Sequence, residues 1–107
     1  MGKKLIYIGG KVSGLEVSEY TELFNRAKIY VSHIRTNVPI ENIITPVDIC
    51  HPDWSWKTAM DVCLEKLKQC SEVFFLPNWE DSHGAYCEKN ICEILNIPIT
   101  IINEDDL

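Results

Sequence analysis

Four short apolar runs punctuate the chain: K-L-I-Y-I at 4–8, N-I-I-T-P-V-D at 42–48, E-V-F-F-L-P at 72–77 and P-I-T-I-I at 98–102. Runs of this length, rich in β-branched and aromatic residues, predict strands buried on both faces. The second is expected to be a short strand running into a Pro-containing loop. Between the runs the period changes. Val17, Tyr20, Phe24, Ala27, Val31 and Ile34 recur at steps of three and four, which predicts an amphipathic helix of about five turns. Ser13 and Glu16 have the spacing of a capping box at its start. Residues 53–70 predict a second helix with Trp56, Met60, Cys63, Leu64 and Leu67 inward. Ser82 has the character of an N-cap, and the segment after it predicts a third helix with Ile91, Ile94 and Leu95 inward. The order is β-α-β-α-β-α-β, without a repeat, linker or low-complexity tract. It predicts one α/β domain over residues 1–107: a parallel sheet of about four to five strands, right-handed crossovers and helices on both faces.

In such sheets a ligand lies outside the carboxyl ends of the strands, where the strand order reverses. Two segments are expected there. One is the glycine turn G-G-K-V-S-G at 9–14, and the other is N-W-E-D-S-H-G-A-Y-C-E-K-N at 78–90.

Composition narrows the partners. The 107 residues suffice for one core, and 10 Lys and Arg against 16 Asp and Glu leave a net charge of −6. That balance argues against a nucleic-acid polymer or an anionic membrane as the main partner. No apolar run approaches the roughly 20 residues of a membrane span. The start M-G-K-K-L-I-Y-I-G-G is expected to be the first strand rather than a signal peptide, and Gly2 lacks the Ser or Thr at position 6 that myristoylation needs, since Ile6 stands there. The five cysteines, odd in number and without a C-x-x-C pair, predict reduced thiols in a cytoplasmic protein. His33, His51 and His83 have no metal-ligand spacing, so no metal is expected.

The candidate chemistry gathers on 78–90. With Ser82 capping the helix, backbone N–H groups near Gly84 and Ala85 form an anion-binding start. Glu88, one turn on and on the face of Gly84, reads either as a crevice carboxylate, nucleophile or general base, or as a solvated surface acid. Tyr7 sits near the carboxyl end of the first strand. Its hydroxyl either orients Glu88 across the crevice or bonds the backbone. Asp61 either reaches the crevice or is an ordinary surface acid. Trp54, Trp56 and Trp79 are candidate aromatic walls for a base or sugar; Trp56 is expected in the core, and Trp79 is the favoured stacking wall. His83 and Cys87 are expected to be bystanders. The glycine turn is neither a dinucleotide fingerprint nor a P-loop, and no cofactor is expected.

Taken together, Y-I-G-G-x-x-x-G-L at 7–15, T-P-V-D at 45–48 and W-E-D-S-H-G-A-x-x-E at 79–88 resemble the nucleoside 2-deoxyribosyltransferase superfamily, and in particular its small phage and bacterial branch. The Ser82, Gly84 and Glu88 spacing is also similar to that of deoxynucleoside monophosphate N-glycosidases. The resemblance implies a flavodoxin-like, Rossmann-like three-layer sandwich that cleaves or transfers at the N-glycosidic bond of a nucleoside or its 5′-monophosphate. It implies that Glu88 is the nucleophile at the anomeric carbon, that Tyr7 orients it, and that Asp61 contacts or protonates the departing base. Ser82 and the helix start near Gly84 would hold a 5′-phosphate or 5′-hydroxyl, and Gly9, Gly10 and Ser13 would shape the pocket. A homodimer or higher homo-oligomer is implied as well. The alternative is a non-catalytic nucleotide or nucleotide-sugar binding module of the same fold. Two features depart from the pattern. Gly10-Lys11 replaces the usual Gly-Pro, which brings Lys11 near an expected phosphate. The C-terminal segment that completes the full transferases from a neighbouring subunit is also expected to be missing.

Overall fold

A computed structural model describes residues 4–107. The reading of Gly2 lies outside the described residues. Four strands, β1 (Ile6–Gly9), β2 (Ile43–Ile44), β3 (Glu72–Phe75) and β4 (Ile99–Ile101), form one sheet in the order β2-β1-β3-β4. Every pair is parallel, with Tyr7 opposite Val73 and Ile44, and Phe74 opposite Thr100. The helices are α1 (Val17–Ile34), the single turn α2 (Pro46–Ile49), α3 (Trp56–Leu67) and α4 (His83–Leu95).

Side chains of the two central strands alternate between two cores, as a pleat of period two requires. Ile6, Ile8, Phe74 and Leu76 join Tyr20, Phe24, Ala27 and Val31 of α1 on one face. Tyr7, Val73 and Phe75 join Cys63 and Leu67 of α3 and Ala85 and Cys92 of α4 on the other. The protein is therefore a three-layer α/β sandwich of the Rossmann-like kind. No helix among the described residues is long and apolar enough to cross a membrane.

Four local expectations are corrected. The helix after β1 starts a turn later than Ser13 would place it. Leu15 N donates to Val12 O at 3.2 Å, and Gly14 takes φ +86°, so the chain is still turning there. Glu16 is the N-cap instead and shares a capping box with Glu19. The run at 42–48 yields only two strand residues. Thr45 and Asp48 close a capping box around Pro46, and the chain turns helical because proline is pre-set for the first helical position. Val17 and Ile34, at the two ends of α1, are exposed, while the middle of their stripe is buried. On α4 the inward face is Gly84, Ala85, Glu88 and Cys92. Ile94 is accordingly 73% exposed and Leu95 is exposed, whereas Ile91 packs against the core.

The five cysteines are free, with Cys63, Cys70 and Cys92 buried and Cys50 and Cys87 half-buried.

Candidate active site

The strand order reverses between β1 and β3, and both following loops meet there. Lys11 N donates to Asn78 Oδ1 at 3.1 Å, tying the loop after β1 to the loop after β3. Beside this junction opens a cleft of about 380 Å³, within the size range of small-molecule sites. Gly10, Ser13, Trp54, Trp56, Ser82, Gly84 and the nearly buried Glu88 are among the residues that line it.

Ser82 caps α4, its Oγ accepting from Ala85 N at 3.1 Å. The cap fixes the helix entry, and one turn later the inward position is occupied by Glu88. Glu88 is only 3% exposed although it lines the cleft. Tyr7, fully buried on β1, donates its hydroxyl to Glu88 Oε2 at 2.5 Å. The other oxygen rests against Gly9, where a Cβ would lie 2.7 Å from Glu88 Oε1 and equally close to the Phe75 ring. Glycine at position 9 is thus what leaves room for the carboxyl.

Burial sets the electrostatics of this pair. It pushes the Glu88 carboxyl up to about 8, with the Tyr7 hydrogen bond pulling the other way. Burial, and then the charge on Glu88, raise the Tyr7 phenol well above its ordinary value. The neighbouring thiols rise for the same first reason: Cys63 and Cys50 are both desolvated, and their sulfurs lie 3.4 Å apart in a weak hydrogen bond. The resting site is a neutral acid held by a neutral phenol.

The sequence candidates divide. Tyr7, Gly9 and Glu88 converge, and Gly10, Ser13, Ser82 and Gly84 line the same cleft. Asp61 is not brought there. Its side chain is 65% exposed and pairs with Lys57 at 3.0 Å on the outer side of α3, because Met60, Cys63 and Leu67 take the inward face. Trp79 is not a wall of the cleft either. A short helical turn, Trp79–Asp81, folds it back so that its ring packs on Phe75 and Tyr86 with Lys89 above it. Trp56, expected in the core, is 48% exposed; it lines the cleft and stacks on His83, with ring centroids 5.4 Å apart.

Trp54 is a candidate wall in the sequence, but Cys50, His51 and Pro52 carry no sequence signal as site residues beyond position. They follow β2, and Cys50, His51, Pro52 and Trp54 line the cleft. Their signal was position alone, since the loop after any strand of a parallel sheet leaves at the ligand-binding end. Among the described residues, no three His, Cys, Asp or Glu side chains are grouped so as to hold a metal ion.

No curated protein and no solved structure matches the chain at significance. The family of the domain of unknown function DUF4406 matches over residues 4–101, nearly the whole chain and all the elements that build the cleft, and the protein belongs to that family.

Proposed function

We propose that this protein is nucleoside 2-deoxyribosyltransferase-like and cleaves or transfers at the N-glycosidic bond of a (deoxy)nucleoside or its 5′-monophosphate, with Glu88 as nucleophile. The observation that carries the reading is the buried Tyr7–Glu88 pair opening onto a ligand-sized cleft at the strand ends. A Glu88 carboxylate oxygen attacks the anomeric carbon, and the C–N bonding electrons leave with the base. Water or a second base then takes the sugar from the ester, the double displacement of retaining glycoside cleavage. Tyr7 holds one carboxyl oxygen and leaves the other for attack. Ser82 and the start of α4 face the sugar's 5′ end.

The test is release of free base from a panel of deoxynucleosides and their monophosphates. Release is expected with at least one, and its loss in Glu88→Ala. No release from any of them, or release indifferent to the substitution, sinks the proposal.

A second reading, binding without turnover, draws on Glu88 being held protonated by burial. A neutral carboxyl recognises a ligand by hydrogen bonding but does not attack it. Thermal stabilisation by nucleotides with no product formed would favour this reading. A homo-oligomer belongs to the same proposal: Ile94 and Leu95 at the end of α4 and Ile101 on the edge strand expose apolar surface for it, and light scattering tests it. The five free thiols suit a cytoplasmic location.

A further inference from the structure

An ordinary nucleoside gives up its base readily only when an acid protonates the departing nitrogen, a contribution of typically about 10²–10⁴-fold. The cleft is poorly equipped for that step. Asp61 is on the outer side of α3, paired with Lys57. Besides Glu88, the titratable side chains lining the cleft are Tyr20, Cys50, His51 and Cys63. Burial holds both thiols protonated and weakly acidic. His51 is mostly exposed; its Nδ1 accepts from Asp53 N at 3.1 Å and lies 3.6 Å from the Asp53 carboxylate, which leaves Nε2 as its donor and makes it the one lining group suited to the step.

The same lining has another character. No Lys or Arg side chain lines the cleft among the described residues, and the one carboxyl in its lining is Glu88. Trp54 and Trp56 line it as well. A carboxyl and two indoles in one lining, with no Lys or Arg beside them, are the groups that hold a cation.

We propose that the substrates are N-glycosides whose base already carries a positive charge, such as an N-alkylated purine or a pyridinium. The inference rests on the glycoside-cleaving reading above. Glu88, a neutral acid at rest, gives its proton to solvent as the cation enters; a carboxylate oxygen then forms the ester bond to the anomeric carbon, the C–N bond breaks, and its electron pair neutralises the cationic nitrogen. The base departs neutral and needs no proton. Water then hydrolyses the ester and returns Glu88 as the neutral acid, so the one net proton released is the one given up when the carboxyl ionised.

The discriminating experiment uses 7-methyl-2′-deoxyguanosine and 2′-deoxyguanosine, which share sugar and ring system. Base release by the full chain is followed chromatographically, each rate corrected for the reaction without protein. The ratio of enzymatic rates is expected to be at least as large as the ratio of uncatalysed rates in the same buffer. It should be unchanged in Asp61→Asn, and release of 7-methylguanine should vanish in Glu88→Gln. A protein that supplies a leaving-group acid compresses the ratio by about 10²-fold or more. Compression, or selective slowing of 2′-deoxyguanosine cleavage by Asp61→Asn, overturns this inference while leaving the nucleophile reading standing. Release of neither base above background overturns both. A folded Glu88→Gln that still cleaves the cationic substrate removes the nucleophile itself.

Discussion

Glu88→Gln isolates what it costs to bury this acid. Glutamine fills the same space and can still accept the Tyr7 hydroxyl, but it cannot ionise. In the native protein Glu88 titrates at about 8 against an ordinary 4.5, because burial disfavours its charge. The sign follows from proton counting. Between those two values the folded state keeps the proton and the unfolded chain has lost it, so stability falls as pH rises. The slope is about 1.36 kcal/mol per pH unit, and the whole interval amounts to at most about 5 kcal/mol. Below pH 4.5 the contribution is intact; above about 8 it is fully lost. Urea denaturation of the native protein and of Glu88→Gln at pH 5, 7 and 9 measures it. The variant is expected to gain on the native protein steadily from pH 5 upward, by several kcal/mol at pH 9. A stability difference that stays flat across that range would mean Glu88 is already ionised at pH 5, and the account of a neutral resting site would be wrong.

The neighbours of Glu88 give three further expectations. Tyr7→Phe removes the hydroxyl that donates to the carboxyl, so it should destabilise the fold by about 1–3 kcal/mol in urea and move the Glu88 titration seen by denaturation to higher pH. Gly9→Ala places a Cβ 2.7 Å from Glu88 Oε1 and from Phe75; a shift of the strand or the carboxyl should cost about 1–3 kcal/mol, read as a lower melting temperature together with a larger loss of base release than Ser13→Ala produces. Ser82→Ala deletes the cap of α4 and should cost about 1 kcal/mol, measured by urea titration of circular dichroism at 222 nm.

Much of the layered fold was legible because the two periods are clean. Ile6, Tyr7 and Ile8 alternate between cores, and Tyr20, Phe24, Ala27 and Val31 hold one helical stripe. The site was legible where it depends on order: loops after β1 and β3 had to meet at the reversal. What failed depended on rotation about a helix axis. Ile94 and Leu95 are more apolar than Glu88 and Gly84, yet they face outward. The face of α4 is set instead by how its start packs, with Gly84 close against Met60 and Ala85 and Cys92 in the core. Hydrophobicity alone misses an inward acid. Trp56 and Trp79 exchanged roles for a similar reason. The first turn of α3 leaves Trp56 half exposed in the cleft lining, while a single helical turn after β3 folds Trp79 back onto Phe75. Asp61 neighbours Met60 in sequence, but one residue along a helix is about 100° of rotation, enough to leave it in water.

The magnitudes also decide what state the site rests in. Glu88 is the sixth residue of α4, past the first turn, where the positive end of a helix dipole would favour a charge by about 0.3–1 kcal/mol, or about 2 in a partly buried setting, so less than that acts on it. Burial opposes that with up to about 5 kcal/mol, and the Tyr7 hydrogen bond is already counted in the balance. Burial wins, so the group waits as a neutral acid. What can reverse the balance is a full opposite charge: at 4 Å, with an effective dielectric constant near 20, it contributes about 4 kcal/mol. That is the size of the burial cost. On the proposal that the ligand carries such a charge into the cleft, its binding would ionise the carboxyl, and a Glu88 nucleophile would exist only with a substrate in place to be attacked.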